Sequence, residues 1–271
     1  MTAVDFLAVD GYRIEYRFTA DGDDAAAAIV LLHEGLGSIA MWKDFPERLA
    51  ATTGRRVLVY SRRGYGRSSA LAEARRPDYL HDEARHCLPA VIERLGLPRP
   101  LLFGHSDGAT IALILAAEQP ASISGVIALA PHVMVEGITI AGLQRARAAY
   151  ETAGLRARLA PYHDDVDGAF WGWNRIWLDP DFRDWNIEAL LPAIRAPVLA
   201  IQGRDDEYAT LGQIERIHRA LPGTELLALA DCGHSPHRDQ PDAVLAATHS
   251  FVERSGPRPA AGRERADVSQ T

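Results

Sequence analysis

The chain has 271 residues, of which 47% are hydrophobic and 24% are charged, and it contains 22 glycines and 16 prolines. This is an ordinary globular composition, and it excludes a disordered, collagen-like or coiled-coil chain. The net charge is −7 at pH 7 and the sequence has no sustained cluster of lysine and arginine, so we expect no nucleic-acid or membrane partner.

Strand-like and helix-like segments alternate along the chain. An opening hairpin is predicted from Val4–Val9 and Tyr12–Phe18, joined at Asp10-Gly11. Later runs are almost continuously apolar, which is typical of strands covered on both faces: Ala27–His33, Arg56–Ser61, Leu101–His105, Ile123–Ala130, Val198–Gly203 and Glu225–Ala230. Helical spacing predicts packed helices at Met41–Thr52, Asp82–Leu95, Ser106–Gln119, Gly212–Ala220 and Asp242–Ser255. The alternation indicates an α/β fold with a mostly parallel central sheet of about eight strands, flanked by helices.

One connection is much longer than the others. Residues 133–192 separate the sixth and seventh predicted strands, whereas a loop between a strand and a helix usually has two to six residues. The segment begins helically at Thr139–Tyr150 and continues around Leu155–Tyr162, and four of the five tryptophans lie between Trp171 and Trp185. We therefore predict a cap of short helices at 133–192, a core formed by 1–132 and 193–255, and a disordered tail at 256–271.

The sharpest local motif is Gly104-His105-Ser106-Asp107-Gly108, a G-x-S-x-G between an apolar strand and a helix. A serine in such a tight turn presents its hydroxyl outside the sheet, and the glycines remove side chains that would clash there. Ser106 is therefore the candidate nucleophile, with the positive end of the following helix beside it.

A serine hydroxyl needs a base near neutral pH, and the base needs an acid to orient it. Asp231-Cys232-Gly233-His234 and His237 lie on one loop between the last strand and the last helix. We favour His234 as the base, because Gly233 lets the chain turn to aim it; His237 is the alternative. Asp206 follows another strand and is the favoured acid, with Asp205 as the alternative. Cys232 is not expected to be the nucleophile, because Ser106 already occupies the turn.

The loop after the third strand, His33-Glu34-Gly35-Leu36-Gly37, predicts an oxyanion hole. We assign its donors to the backbone N–H groups of Gly35 and Asp107, which would stabilise the negative charge on an attacked carbonyl. The carboxylates of Glu34 and Asp107 would oppose that charge unless they are paired or turned away. One hypothesis pairs Glu34 with Arg62 or Arg63, and another has Glu34 or Asp107 select a substrate with a positive or hydrogen-donating group.

These motifs together resemble the α/β-hydrolase fold enzymes over residues 4 to 253. The matching stretches occur in the expected order: HEGLGS, YSRRGYGRSS, GHSDG, QGRDDEY and CGHSPHRDQP. The resemblance implies hydrolysis through an acyl-enzyme on Ser106, without a cofactor, under a cap that shapes the pocket. The sequence departs from the usual pattern at Glu34, where many relatives have glycine.

We expect a serine hydrolase that acts on a small carboxylic ester or lactone. A thioesterase and a hydrolase of carbon–carbon bonds remain alternatives, and a non-catalytic receptor on the same fold is the rival of another class. The pocket candidates are Glu34, His105, Trp171, Trp173 and Trp177. No metal site is expected from His132 and His163, because nothing in the sequence places them on one face with nearby aspartates. Without a signal-like start, a soluble cytoplasmic protein is expected, and the sequence leaves the oligomeric state open.

Overall fold

Eight strands form a single sheet in the computed structural model, which describes residues 3–20, 22–23 and 26–255. They are β1 (Asp5–Val9), β2 (Tyr12–Phe18), β3 (Ile29–Leu32), β4 (Val57–Tyr60), β5 (Leu101–His105), β6 (Gly125–Leu129), β7 (Val198–Gly203) and β8 (Glu225–Leu229). Their order across the sheet is β1-β2-β4-β3-β5-β6-β7-β8. The pairs β1–β2 and β2–β4 are antiparallel and the others are parallel. The predicted α/β fold with a mostly parallel sheet is confirmed.

The five central strands, β3 to β7, are buried on both faces. Val30 and Leu32 of β3 belong to one apolar cluster, whereas Ile29 and Leu31 belong to another, because successive side chains of a strand point to opposite faces. The helices are α1 (Phe45–Thr53), α2 (Tyr79–Asp82), α3 (Leu88–Arg94), α4 (Asp107–Glu118), α5 (Gly137–Thr152), α6 (Leu155–Leu159), α7 (Val166–Trp177), α8 (Gly212–Ala220), α9 (Pro236–Asp239) and α10 (Pro241–Ser255). Among the described residues, none of the helices has the length and apolar character that crossing a membrane requires.

The helix predicted at Asp82–Leu95 has a different internal structure. It begins earlier, at α2, and passes through a π-helical turn at Glu83–Cys87 before continuing as α3. Pro89 has no backbone N–H, so it cannot donate the hydrogen bond that a regular α-helix would make there. The wider turn just before this proline therefore accommodates a missing donor that spacing alone does not reveal.

The segment between β6 and β7 is helical, but two of its helices are longer than predicted. α5 has 16 residues and α7 has 12. The prediction of short helices underestimated α7 because its glycines fit the helix: the Asp165 side chain caps it by accepting from Gly168 N–H at 2.8 Å. The two ends of the segment are joined by a hydrogen bond from Ile187 N–H to the Val133 carbonyl at 2.8 Å and by a β-bridge between Met134 and Asn186. Its division into a separate cap domain stays a prediction, and the predicted tail at 256–271 lies outside the described residues.

Candidate active site

Ser106 lies in a strained turn between β5 and α4. Its φ is 53° and its ψ is −116°, a backbone conformation that L residues rarely adopt. The flanking glycines are required by space, because a Cβ on Gly104 would lie 2.4 Å from Ala109 N and one on Gly108 only 2.1 Å from the Leu32 carbonyl oxygen. The motif thus folds as its residue types predict, with the start of α4 pressed against the end of β3.

The structure brings Ser106, His234 and Asp206 together. His234 Nε2 lies 2.9 Å from Ser106 Oγ, and His234 Nδ1 lies 2.9 Å and 2.8 Å from the two carboxylate oxygens of Asp206. The three side chains follow β5, β7 and β8, whose parallel carboxyl ends share one edge of the sheet. This continuous hydrogen-bonded chain can move a proton away from the serine hydroxyl.

Asp206 is held in place by its own loop and by the strand before it. Its carboxylate accepts hydrogen bonds from the backbone N–H groups of Tyr208 at 2.8 Å and Ala209 at 3.1 Å, and from the Gln202 side chain at 2.5 Å. Asp206 is buried, whereas the alternative, Asp205, is exposed. It is therefore Asp206 that contacts the imidazole.

The loop that carries His234 depends on close backbone contacts. A Cβ on Gly203 would lie 2.2 Å from the Cys232 carbonyl oxygen, so a side chain there would push the loop away. The backbone N–H of His234 donates to Glu207 Oε2 at 3.1 Å, and His105 Nε2 donates to the His234 carbonyl at 2.6 Å. The alternative base, His237, instead packs its buried ring against Trp42, with centroids 4.7 Å apart.

Burial and charge set the protonation of the imidazole and its partner. Burial alone would lower the pKa of His234, but the hydrogen bond and charge of Asp206 raise it above the ordinary value of 6.5. Burial likewise acts to raise the pKa of Asp206, and the contact with His234 outweighs it and lowers that pKa. Asp206 thus stays charged and would stabilise an imidazolium if His234 accepted a proton.

The two predicted oxyanion donors lie on neighbouring loops. Gly35 follows β3 and Asp107 begins α4 after β5, and β3 pairs with β5 in parallel register. Among the described residues, neither backbone N–H donates to a backbone acceptor. His163, which follows α6, holds the first loop by accepting from Gly66 N–H and donating to the Leu36 carbonyl, at 3.0 Å and 2.9 Å.

The two carboxylates near this loop are paired differently from the prediction. Glu34 Oε2 lies 3.4 Å from His105 Nδ1, and a Cβ on Gly37 would strike it at 2.4 Å, so the side chain lies back over its own loop. Arg62 donates to the backbone carbonyl of Glu34 rather than to its carboxylate. The predicted ion pair of Glu34 with Arg62 or Arg63 is therefore wrong: Arg62 faces Asp107 at 3.6 Å, and the Arg63 guanidinium lies over the Tyr12 ring, 4.3 Å from its centroid.

The three candidate tryptophans have different surroundings. The indole of Trp173 covers Gly35, where a Cβ would lie 2.1 Å from its Nε1. The ring of Trp177 lies at a tilted angle to that of His132, with centroids 5.0 Å apart, and its Nε1 donates to the Tyr79 hydroxyl at 2.7 Å. Trp171 lies beside the guanidinium groups of two arginines in cation–π contact, Arg147 at 5.8 Å and Arg175 at 5.2 Å. Trp173 is thus the tryptophan in direct contact with the predicted oxyanion loop.

Two side chains near the site were missed by the sequence analysis. Tyr79 donates its hydroxyl to Asp107 Oδ2 at 2.8 Å, although it belongs to no motif that could have indicated this contact. His132, considered above only as a metal ligand, lies with its ring 5.6 Å from that of His234. Burial and His234 lower the pKa of His132 to about 3, so it is neutral near pH 7. Its position directly after β6, at the same edge as the other loops, is the signal that could have identified it.

Comparison with known proteins agrees with this architecture. A family model described as "Alpha/beta hydrolase family" matches residues 29–247. The sn-1-specific diacylglycerol lipase ABHD11 of Mus musculus is 26% identical over 261 residues, which cover 86% of this chain and 83% of that protein. A 2-hydroxy-6-oxo-6-phenylhexa-2,4-dienoate hydrolase of Burkholderia cepacia is 22% identical over 271 residues, with 90% and 92% covered.

A solved structure shows the same fold at low sequence identity. The enol-lactonase from Burkholderia xenovorans LB400 superimposes with a TM-score of 0.73 and 23% identity, over 92% of this chain and 100% of that one. At this identity the likeness establishes the fold alone. The family match covers most of the chain and includes all three loops that carry Ser106, Asp206 and His234.

Proposed function

Because the chain belongs to the alpha/beta hydrolase family, we propose that it is a serine hydrolase that cleaves a carboxylic ester or lactone through an acyl-enzyme on Ser106. The observation that carries this proposal is the continuous contact from Ser106 Oγ through His234 to Asp206. Hydrogen bonds from surrounding backbone and side-chain groups hold Asp206 and the backbone of His234 in place, which favours a preorganised site.

In the proposed reaction, His234 removes the proton of Ser106 as Oγ attacks the substrate carbonyl carbon. The carbonyl oxygen becomes negatively charged and accepts hydrogen bonds from the backbone N–H groups of Gly35 and Asp107. When the carbon–oxygen bond breaks, His234 gives the proton to the departing alcohol. Water then attacks the acyl-enzyme with the same base, which releases the acid and restores Ser106.

The surroundings of the site favour an apolar ester or lactone. Trp173 lies against Gly35, so an apolar ring borders the place where the substrate carbonyl would bind. The segment 133–192 has nine acidic residues and six arginines, which makes it unfavourable for the phosphates of a coenzyme A thioester. Cleavage of a carbon–carbon bond is the second candidate, favoured by the likeness to the hydrolase of Burkholderia cepacia.

Active-site labelling distinguishes an enzyme from a receptor on the same fold. A fluorophosphonate probe should label Ser106, and p-nitrophenyl butyrate should be turned over repeatedly. A panel of esters, lactones, thioesters and vinylogous diketones then separates the substrate classes by kcat/KM. Folded protein that neither reacts with the probe nor turns over any member of the panel would make the receptor the better assignment.

We expect activity to fall as the pH is lowered through the raised pKa of His234. Only the neutral imidazole can accept the proton of Ser106, so protonation at acid pH removes the base. The acid limb of kcat/KM should therefore lie above pH 6.5, the ordinary histidine value. Asp206→Asn removes the charge that raises this pKa and should move the limb to lower pH. A limb at the same pH in both proteins would exclude His234 as its origin.

We expect the carboxylate of Glu34 to make the protein prefer positively charged substrates over neutral ones. Its side chain is 22% exposed, whereas Asp107 is buried against Arg62, so Glu34 carries the charge that a bound substrate can meet. For Glu34→Gln, the ratio of kcat/KM for an ammonium-bearing ester to that for a neutral ester of equal length should fall on the order of tenfold. The exposed Glu151→Gln serves as the control. An unchanged ratio would rule out charge selection by Glu34.

A further inference from the structure

Arg62 is a fully buried cation behind the predicted oxyanion loop. Its Nη2 donates to the carbonyl oxygens of His33 and Glu34, at 3.3 Å and 2.9 Å, and its backbone N–H donates to His33 Nε2 at 2.9 Å. These two carbonyl groups belong to the peptide units just before Gly35. The orientation of the peptide that presents the Gly35 N–H is therefore fixed directly by the guanidinium, because the Glu34 carbonyl and the Gly35 N–H share one planar unit.

The same guanidinium also faces the second loop. Arg62 Nη2 lies 3.6 Å from Asp107 Oδ2, and the Asp107 backbone N–H is the other proposed donor. The Asp107 carboxylate is fixed further by the Tyr79 hydroxyl, which in turn accepts from Trp177 of α7. A single nitrogen atom thus lies between the two loops whose N–H groups must converge on one oxygen.

Stability alone does not account for this arrangement. Arg62 Nε and Nη1 and Asp107 Oδ1 are buried and have no hydrogen-bond partner among the described residues. Buried ion pairs with incomplete hydrogen bonding commonly contribute less to stability than an apolar replacement would. A planar, permanently charged fork is instead well suited to orient several acceptors at once.

We propose that Arg62 is a positioning residue for the oxyanion hole. It aligns the Gly35 peptide through the Glu34 carbonyl and the start of α4 through the Asp107 carboxylate, without touching the substrate. This inference rests on the proposed function, since it concerns the same site. In this proposal, the geometry of the oxyanion hole depends on the Arg62 side chain behind the two loops as well as on the backbone N–H groups that form the hole.

The test compares Arg62→Met, Arg62→Lys and Asp107→Asn with wild type, using p-nitrophenyl butyrate and a trifluoromethyl ketone that adds to serine and forms an oxyanion. Removing one oxyanion donor typically lowers kcat by 10²–10³, so we expect a loss of about 100-fold for Arg62→Met and about tenfold for the other two. KM should change by less than about threefold, because the hole acts on the transition state. Affinity for the ketone should fall by the same factor as kcat.

Arg17→Met is the matched control, because Arg17 is also a buried arginine, paired with Glu47 at 2.6 Å on β2. It should lower the melting temperature while leaving kcat and ketone affinity at wild-type values. If Arg62→Met does not fold, Arg62→Lys and the nearly isosteric Asp107→Asn test the positioning role in its place. Folded variants with wild-type kcat and ketone affinity, or with losses only in KM, would overturn the positioning role. Wild-type protein without labelling or turnover would instead refute the proposed function itself.

Discussion

Ser106→Ala is expected to abolish fluorophosphonate labelling and to lower kcat for p-nitrophenyl butyrate by about 10⁶. The variant keeps the fold, because alanine can occupy the space of serine, but it has no oxygen to form the acyl-enzyme. Removal of His234 should cost about as much, since the base and the nucleophile act as a unit. Asp206→Asn should be milder, about 10⁴, because the imidazole remains but is wrongly oriented.

The control for this series is Ser122→Ala, which removes a serine hydroxyl that donates to the Gln119 carbonyl. Its labelling and turnover should equal those of wild type. Intact-protein mass spectrometry after the probe reaction would show whether one site reacts and whether Ser106→Ala eliminates it. Persistent turnover by Ser106→Ala at the wild-type rate would exclude the proposed acyl-enzyme.

Gly108→Ala is expected to destabilise the protein by about 3 kcal/mol or more, at the upper end of the usual cost of overpacking. The new Cβ would lie 2.1 Å from the carbonyl oxygen and 2.5 Å from the carbonyl carbon of Leu32. Both atoms belong to the backbone of β3, so no side-chain rotation can relieve the clash. Either α4 or β3 must move, and both carry the site, so kcat should fall as well. Urea unfolding and kcat measured on the same preparation would test both effects.

Gly137→Ala is the control for that substitution. Gly137 begins α5, and a Cβ there would meet no atom within 4 Å. Alanine should be neutral or slightly stabilising, because it lowers the conformational entropy of the unfolded chain. Equal unfolding free energies for the two variants would show that the contact between α4 and β3 yields easily and that the motif does not require glycine at 108.

The sheet could be predicted from the sequence because its strands are short, apolar and bounded by turn residues. The proximity of Ser106, Asp206 and His234 could be predicted because each follows a strand, and the carboxyl ends of parallel strands meet at one edge of the sheet. Their catalytic roles stay predictions that the variants above test. Position in the chain predicts that these residues lie at the same edge of the sheet. It does not predict which of the adjacent residues Asp205 and Asp206 is buried, and burial is what distinguishes them.

The remaining features depend on side-chain direction and on contacts between distant segments. Arg62 and Arg63 are neighbours in sequence, so nothing in their types shows which one enters the core, and the pairing of Arg62 with Asp107 was missed. Tyr79 contacts the site from a helix with no motif. The length of α7 was underestimated because glycine and aspartate argue against a helix until their capping and packing partners are known.

The hydrogen bond between Val133 and Ile187 closes the base of the segment between β6 and β7. Because β6 and β7 are parallel, the chain leaves the sheet at the carboxyl end of β6 and returns at the amino end of β7, and this bond draws together the two ends of about fifty residues of the connection. Changes in the length of this segment need not alter the register of the strands, but they must preserve its contacts with the site loops, such as Trp173 with Gly35 and His163 with the Leu36 carbonyl. We therefore expect changes in this segment to alter the geometry of the candidate site and the substrate preference together rather than independently.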